Sequence, residues 1–284
     1  MSIITVTGAT GNIGSRIVRQ LREQGHAVRA VVPPGENTSL TPDENLDVVT
    51  ADFDAAAAVA TAAEGASAYF LMTPPDTRQV AWQRSQVDAA RTAGVDRVVK
   101  LSAYDTGATS PWTLGRWHHD GEVALRESGV AHAILRPQYF QQNLLLDTAA
   151  LREGRLTTFI PPGRTVGAVD AEDIAATAVA LLTSTPLDGQ VVVPTGPTAI
   201  TTQDVADAVA SLLGIEVAID YSDPDRTWRE FRATGWPDWW IADLLDITQN
   251  ASPEVNDHVN QLTGHPARSI TDAARDALGV TTAA

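Results

Sequence analysis

The sequence contains no cysteine, which excludes disulfide bonds and thiolate chemistry. It also lacks any apolar run of the roughly 18 residues that a membrane-spanning helix needs. The chain opens directly on a strand-like segment, with no charged and then apolar leader before it. We therefore expect a cytoplasmic protein that has no membrane partner.

Basic residues are few compared with acidic ones. The chain has 20 Lys and Arg against 35 Asp and Glu, and its formal net charge is −15. Because nucleic-acid-binding proteins carry a basic face, we expect no nucleic-acid partner. The rest of the composition is ordinary for a globular protein, and 284 residues suffice for one large or two small domains.

Motifs of metal-dependent and serine hydrolases are missing as well. His118 and His119 are adjacent, so their side chains would point in different directions on a helix, and no H-x-x-x-H pair occurs. The G-x-S-x-G nucleophile motif is also absent. We expect no metal site and neither kind of hydrolase.

What the sequence does contain is a glycine-rich turn between a strand and a helix at its start. The β-branched segment 2–6 predicts a buried strand, and apolar residues at helical spacing predict a helix over 15–24. The turn between them reads T-G-A-T-G-N-I-G. Gly8 suits the turn, Gly11 permits close approach of a ligand, and Gly14 permits tight packing of the helix on the strand. Since free N–H groups at a helix start attract phosphate, the turn predicts a dinucleotide site.

Strand-like and helix-like segments alternate through the first 150 residues. This alternation predicts a parallel sheet with helices on both faces and right-handed crossovers. Past residue 150 the pattern loosens, and we expect short strands at 166–169 and 217–221 among helices. We predict an α/β fold with a dinucleotide-binding domain over 1–150 and a smaller, mostly helical substrate part over 151–284, some of whose elements return to the first domain.

Tryptophan is concentrated in the later part. Four of the seven tryptophans, Trp228, Trp236, Trp239 and Trp240, fall within thirteen residues. Aromatic side chains fill cores and also line apolar pockets. The cluster is therefore either the interior of the smaller part or the wall of a substrate pocket.

Several segments along the chain match the pattern of one known family: the opening glycine turn, Asp52-Phe53, 99–102, 134–140 with Asn143 (similar to L-R-P-x-x-F-x-x-N), 169–175 and 262–269. On these segments the chain resembles the NmrA-like group of atypical short-chain dehydrogenases/reductases over nearly its whole length. The resemblance implies an NAD(P)-binding, Rossmann-type doubly wound sheet of strand order 3-2-1-4-5-6, with the C-terminal part closing over the nicotinamide end.

The resemblance implies an NAD(P)H-dependent oxidoreductase that reduces a quinone, an enone or a carbonyl compound by hydride transfer. Such an enzyme would take a small-molecule substrate as a monomer or a homodimer. The group also includes redox sensors that bind the dinucleotide and act through a protein partner. The absence of a Tyr-x-x-x-Lys pair favours a sensor, whereas the tryptophan-rich part favours an enzyme.

Three residues are predicted to be catalytic. His118 matches the helix position at which some quinone-reducing relatives carry a histidine, and Glu122 lies on the same helical face. A histidine can donate a proton near neutral pH, although the face can equally be a solvated one. Ser102 and Lys100 lie on one face at the end of the fifth strand. Ser102 would bind a substrate oxygen or cap the strand, and Lys100 would meet the nicotinamide ribose or be a surface lysine.

Cofactor preference is not encoded by a clear local signal. Relatives that take NADP carry an arginine after the second strand, and those that take NAD carry an acid there, whereas this chain has Pro33-Pro34-Gly35 followed by Glu36. The resemblance favours NADP(H) over NAD(H). The residues predicted to bind the cofactor lie at the carboxyl ends of strands or in the glycine turn: Gly8, Thr10, Gly11, Asn12, Ile13, Gly14, Pro33, Asp52, Phe53, Met72, Thr73, Pro74, Ser102, Pro137 and Tyr139.

Overall fold

A computed structural model of the protein describes residues 2–183, residue 187 and residues 189–281. Up to residue 135 strands alternate with helices, as the sequence predicts, except that the strands at 27–32 and 46–50 follow each other directly; helices predominate later. In chain order the elements are β1 (Ile3–Thr7), α1 (Gly14–Glu23), β2 (Ala27–Val32), β3 (Leu46–Thr50), α2 (Ala56–Ala63), β4 (Ala66–Leu71), α3 (Gln79–Thr92), β5 (Arg97–Leu101), α4 (Thr113–Glu127), β6 (Ala131–Leu135), a 3-10 helix (Gln141–Leu144), α5 (Thr148–Arg152), β7 (Arg155–Thr158), α6 (Ala171–Thr183), β8 (Val191–Val192), α7 (Thr202–Leu213), β9 (Ala218–Tyr221), α8 (Pro224–Ala233), α9 (Asp238–Asn250), α10 (His258–Thr263) and α11 (Ile270–Leu278).

The chain divides into two compact units. The first is made of the described residues of 1–109, 114–136 and 174–193, and the second of those of 110–113, 137–173 and 194–284. The first unit holds a sheet of order β3-β2-β1-β4-β5-β6-β8, in which every neighbouring pair is parallel. The predicted order 3-2-1-4-5-6 is confirmed, and β8 extends it by one strand.

The central strands of this sheet are buried on both faces. Tyr69 and Phe70, whose side chains point to opposite faces of β4, are both completely inaccessible to solvent, and so are Val98 and Val99 of β5, as is usual for a parallel sheet covered by helices. Helix α1 contributes Ile17 and Leu21 to the core, also fully buried. Burial on both faces explains why the strands appear in the sequence as nearly continuous apolar runs.

The turn between β1 and α1 is closed by contacts of its backbone. Gly8 has a positive φ of 65°, and a Cβ atom placed on Gly14 would lie 2.0 Å from the carbonyl oxygen of Gly8. The hydroxyl of Thr7 donates to the carbonyl of Phe70 at 2.9 Å and accepts from the N–H of Met72 at 2.8 Å, which ties the end of β1 to the end of β4. The turn therefore leaves no room for a side chain at Gly14.

The second unit has a small parallel pair, β7 with β9, and helices around a separate apolar cluster. Helices α7 and α11 each begin with a capping box, Thr201 with Asp204 and Ser269 with Asp272. The two side chains of each box accept from backbone N–H groups that a helix start leaves without a partner inside the helix. Local sequence thus fixes where these two helices begin.

The prediction of a strand over 166–169 is wrong. Val166 and Val169 form only isolated bridges, with Ile200 and Phe140 respectively. A strand that the sequence did not reveal, β7, pairs with β9 instead. Short segments whose partners are distant in sequence carry little periodic signal, which explains both errors.

The late aromatic residues form a chain of ring contacts on α8, on α9 and on the segment between these helices. Phe231 meets Trp236 edge to face at 4.8 Å, and Trp236 stacks on Trp240 at 5.7 Å. Trp236 is 37% exposed, so this cluster is not the closed interior of the unit. In the described part of the chain, no helix combines the length and the hydrophobicity needed to cross a membrane.

We expect Gly14→Ala to disrupt the glycine turn. The new methyl group would collide with the backbone of Gly8, which is not free to rotate away, and overpacking of this kind costs about 1–3 kcal/mol. The measurement is the free energy of unfolding by urea, with dinucleotide binding followed in parallel. Gly107→Ala is the control, since no atom lies within 4 Å of its added Cβ. Equal stability of the two variants would contradict this account of the turn.

Candidate active site

A cavity of about 400 Å3 opens in the first unit, beside the glycine turn. Eight of the residues predicted to bind the cofactor line it: Gly8, Thr10, Gly11, Pro33, Asp52, Phe53, Met72 and Pro74. The sequence did not single out its other lining residues as binding residues: Val31, Pro34, Glu36, Ala51, Asp54, Arg78 and Trp82. The carboxyl ends of β1 to β4 thus converge on one hollow, as expected for a doubly wound sheet.

One wall of the cavity is held by a hydrogen-bonded aromatic and charged group. Asp54 accepts from the indole N–H of Trp82 and from the guanidinium of Arg78, each at 2.6 Å. The Arg78 guanidinium also lies 4.4 Å above the Trp82 ring and binds Asp76 at 2.8 Å. Phe53 meets the same indole edge to face. A flat, fixed wall of this kind suits a planar base such as adenine.

The cavity has the features that a dinucleotide requires. Helix α1 begins at Gly14, and its first turn, which lies wholly in the described part, holds no acidic side chain that would neutralise the positive end of the helix. Thr10 and Gly11 line the cavity beside that helix start, where a pyrophosphate would rest. The residues present therefore fit NAD(P)H.

The remaining predicted cofactor residues lie elsewhere. Asn12 accepts from the side chain of Arg16 through its own side-chain oxygen, and the Ile13 side chain is buried in the core. The hydroxyl of Thr73 accepts from Gln83 at 3.0 Å. Pro137 and Tyr139 belong to the second unit, where Tyr139 packs on the apolar cluster.

Lys100, His118 and Gln79 form a line of contacts across three elements of the first unit. The Lys100 ammonium nitrogen lies 3.0 Å from Nδ1 of His118, on α4, and 3.2 Å from the carbonyl oxygen of Leu101. The amide nitrogen of Gln79, the first residue of α3, lies 3.3 Å from Nε2 of the same ring. Lys100 is completely buried, so the alternative of a surface lysine is excluded.

Glu122, one helical turn after His118, is the centre of a second group. Its carboxylate accepts from Ser102 at 2.6 Å, from Arg136 at 2.8 and 2.5 Å, and from Arg126 at 3.0 Å. The Glu122 side chain is fully buried, so the carboxylate needs these donors to remain charged. This face of α4 is therefore not a solvated one at Glu122.

The pKa values of Lys100, His118 and Glu122 are all lowered, but for different physical reasons. Burial lowers the pKa of Lys100 to about 7, against an opposing attraction from Glu122. Burial also lowers the pKa of His118 well below its usual value, and the charges of Lys100 and Arg136 lower it further. Burial alone would raise the pKa of Glu122, but hydrogen bonds from Arg136 and Ser102 bring it below its ordinary range. At neutral pH the imidazole is neutral and the carboxylate is charged.

A glycine on α4 makes room for this arrangement. A Cβ atom on Gly121 would lie 1.7 Å from Oε1 of Gln83 and 3.0 Å from Cε of Lys100. Gln83 is itself buried on α3 and donates to Thr73. The lysine stem and the glutamine thus occupy the space that a side chain at Gly121 would need.

The sequence predicted Lys100, Ser102 and His118 and placed Glu122 on the His118 face of the helix, but it did not reveal the other groups that contact them. Gln79 and Gln83 belong to no sequence motif. They reach the site because α3 packs beside α4. Arg136 lies in the segment that resembles L-R-P-x-x-F-x-x-N, and that segment was a signal that could have found it. Among the described residues, no group of three or more His, Asp or Glu side chains is placed to hold a metal ion.

Known proteins similar to this chain share its length and fold. A family described as NAD(P)H-binding matches residues 8–185. NAD(P)H azoreductase of Xenophilus azovorans is 30% identical over 278 residues, covering 96% of this chain and 97% of that one. A (4-alkanoyl-5-oxo-2,5-dihydrofuran-3-yl)methyl phosphate reductase of Streptomyces griseus is 30% identical over 279 residues, covering 95% and 96%.

Among solved structures, NADPH-dependent quinone oxidoreductase QOR2 of Escherichia coli, complexed with NADPH, superposes with a TM-score of 0.80 at 24% identity, covering 96% of this chain and 99% of that one. This similarity supports the fold.

The fold, the cavity and these relatives define an NAD(P)H-dependent oxidoreductase of the Rossmann type. The chain belongs to the NAD(P)H-binding family. The resemblance to NmrA-like, quinone-oxidoreductase-like proteins is thereby confirmed, and the enzyme is favoured over the non-catalytic sensor.

We expect Glu122→Gln to destabilise the protein in a pH-dependent way. Because the folded-state pKa of Glu122 lies below its ordinary value of 4.5, its carboxylate contributes stability above that pH and loses it as the pH falls through the lowered pKa. Urea unfolding at neutral pH should show a loss of about 1–3 kcal/mol, which shrinks in acid. Glu127→Gln, at an exposed position of the same helix, is the control. A pH-independent loss would show that the charge is irrelevant.

Proposed function

We propose that the protein reduces a quinone, an enone or a carbonyl compound, with His118 as the proton donor and Lys100 as the group that recharges it. The predicted role of Ser102 in binding a substrate oxygen is not retained, because its hydroxyl donates its hydrogen to the Glu122 carboxylate. The observation that carries this proposal is the buried contact between Lys100 and Nδ1 of His118 at 3.0 Å. Gln79, which touches the same imidazole, directly follows Arg78, which lines the cofactor cavity. The residue that contacts His118 and a residue that lines the cofactor cavity are therefore neighbours at the start of α3.

The proposed chemistry needs one hydride and one proton. Bound NAD(P)H supplies the hydride to the substrate carbon. As negative charge grows on the substrate oxygen, His118 donates its Nε2 proton to that oxygen, and the Lys100 ammonium donates a proton to Nδ1. The ring remains neutral at the start and at the end, which suits a site where burial opposes the imidazolium.

Relatives support the choice of substrate class. The similar proteins described above are a reductase of azo compounds, a reductase of an oxo-dihydrofuran phosphate and a quinone oxidoreductase. Azo compounds, unsaturated oxo rings and quinones share a conjugated, electron-poor double bond that can accept a hydride. We propose a conjugated acceptor of this kind as the substrate of this protein.

The test is turnover of a panel of quinones, enones, ketones and azo dyes, followed by the loss of NADPH or NADH absorbance. We expect His118→Ala to lower kcat about a hundredfold, because general acid catalysis contributes about 10²–10⁴. His119→Ala, at the neighbouring position of α4, is the control. Unchanged turnover of the His118 variant would remove the proposed acid. Tight dinucleotide binding without any turnover would favour the regulator instead.

We expect the rate to depend on pH through Lys100. Since the proposed relay uses the Lys100 ammonium, whose pKa is lowered to about 7, kcat should fall as the pH rises above that value. Lys100→Met should be slow and should lose this part of the profile. A wild-type rate that is constant across this range would contradict the assignment of Lys100.

We further propose that NADPH is preferred over NADH, with QOR2 and its bound NADPH as the supporting relative. Glu36 opposes this preference, because it lines the cavity in the segment after β2, where the adenosine ribose of such folds lies. Glu36→Gln should therefore lower the KM for NADPH by a few-fold without lowering that for NADH, since only a 2′-phosphate is repelled by the carboxylate, whereas a 2′-hydroxyl can donate to it. Equal effects on both cofactors, or a higher KM for NADPH, would contradict this placement.

A further inference from the structure

The imidazole of His118 has a side-chain partner at each ring nitrogen. Lys100 lies at Nδ1 and Gln79 at Nε2, at 3.0 and 3.3 Å. A neutral imidazole carries one donor and one acceptor nitrogen. Lys100 and Gln79 are therefore coupled through the ring: if one of them donates a hydrogen bond to its ring nitrogen, the other must accept one from the opposite nitrogen.

Two complete arrangements are possible. A charged Lys100 has only donors, so it donates to Nδ1, the proton of the ring resides on Nε2, and Gln79 must present its amide oxygen. A neutral Lys100 has a lone pair that can accept from Nδ1–H, and Gln79 must then present its amide NH2 to Nε2. The two arrangements differ by one proton on Lys100, by the tautomer of the ring and by a half-turn of the Gln79 amide.

The structure shows the amide in the second orientation. The amide nitrogen of Gln79 faces Nε2, and its Oε1 is buried with no hydrogen-bond partner in the described part of the chain. Gln79 is 1% exposed, so water does not readily satisfy this oxygen. An amide with one unsatisfied atom gains a partner for its oxygen by turning, whenever Nε2 carries a proton.

We propose that Gln79 is a positioning residue that sets the tautomer of His118 by turning its amide, and so directs proton transfer from Lys100 through the ring to the substrate. This inference rests on the proposed function, in which His118 is the acid. Gln79 does not itself exchange a proton. The Gln79 amide is the hydrogen-bond partner of Nε2 until the substrate oxygen replaces it as that partner.

The proton count closes in this scheme. The substrate oxygen gains the Nε2 proton, Nδ1 gains a proton from Lys100, and Lys100 is left as a neutral amine. The ring has then exchanged one tautomer for the other, and the Gln79 NH2 group can donate to the vacated Nε2. Solvent returns one proton to Nε2 while Nδ1 returns its proton to Lys100, which restores the first arrangement.

The charges around the ring favour this neutral route. Lys100 and Arg136 both repel a positive imidazolium, and burial opposes it as well. Glu122, the acid on the same face of α4, accepts from Arg136, Arg126 and Ser102. Its carboxylate is thus compensated by two guanidinium groups and makes no hydrogen bond to His118. Proton transfer through the ring by exchange of tautomers avoids the charged intermediate.

The chain offers a matched control on the same helix. Gln86 is also buried on α3 and also has one unsatisfied amide atom, but its partner is the hydroxyl of Tyr69 at 3.3 Å. Gln79→Met and Gln86→Met each replace a buried amide by an apolar side chain of similar size. Only the first removes a group that contacts His118.

The experiment records the tautomer of His118 by long-range 1H–15N NMR of histidine-labelled protein with the oxidised dinucleotide bound, across the pH near 7 at which Lys100 titrates. The His118 signals are identified by their loss in His118→Ala. In the wild type and in Gln86→Met, we expect the proton to move from Nε2 to Nδ1 as the pH rises. In Gln79→Met this exchange should disappear. Gln79→Glu, which can only accept, should hold the proton on Nε2 throughout.

Turnover provides the second readout. Gln79→Met should lower kcat about tenfold, less than loss of the acid itself, and should flatten the pH dependence that Gln86→Met retains. In a His118→Ala background, Gln79→Met should cause no further loss. If Gln79→Met and Gln86→Met show the same tautomer titration and the same kcat, the inference is wrong although His118 can still be the acid. If His118→Ala turns over normally, the proposed function fails first.

Discussion

The carboxylate of Glu122 is the interaction on which the candidate site depends. It is buried on α4 and accepts from Ser102 beyond β5, from Arg136 beyond β6 and from Arg126 on its own helix. A buried carboxylate without donors is strongly unfavourable, so the ends of both strands must lie where they satisfy it. The position of Ser102, and of the helix that carries His118, follows from this requirement.

The same carboxylate explains the neutral chemistry of its neighbours. Because Arg136 and Arg126 compensate its charge and Ser102 donates to it, Glu122 attracts Lys100 too weakly to offset burial, and the pKa of Lys100 is lowered to about 7. An enzyme with a Tyr-x-x-x-Lys pair uses a lysine to lower the pKa of a tyrosine. In this chain the lysine contacts a histidine instead, and burial lowers the pKa of both groups. The pKa of Lys100 is thus brought into the neutral range by burial rather than by an added charge.

Local patterns predict most of the first unit. The glycine turn and the alternation of strands with helices predicted the parallel sheet, and the end of the fifth strand indicated Lys100 and Ser102. The strand order and the choice of His118 came from the resemblance to NmrA-like proteins. The sequence did not reveal Gln79, Gln83 or the wall formed by Arg78 and Trp82. These side chains take part only because α3 packs beside α4 and because the loop after β3 reaches α3, and neither contact has a periodic signal. The sequence also did not reveal that Val166 and Val169 form only isolated bridges, because their partners, Ile200 and Phe140, are distant along the chain.

The strand β8 has a consequence for how this protein can be dissected. Its two residues, Val191 and Val192, pair with Ile134 and Leu135 of β6, although more than fifty residues separate them along the chain. A fragment that ends at residue 150 would leave the polar backbone of β6 uncovered at the sheet margin, where another chain can add to it. Such a fragment would be prone to self-association. Cleavage of the chain between β6 and β8 would also weaken the edge of the dinucleotide-binding sheet.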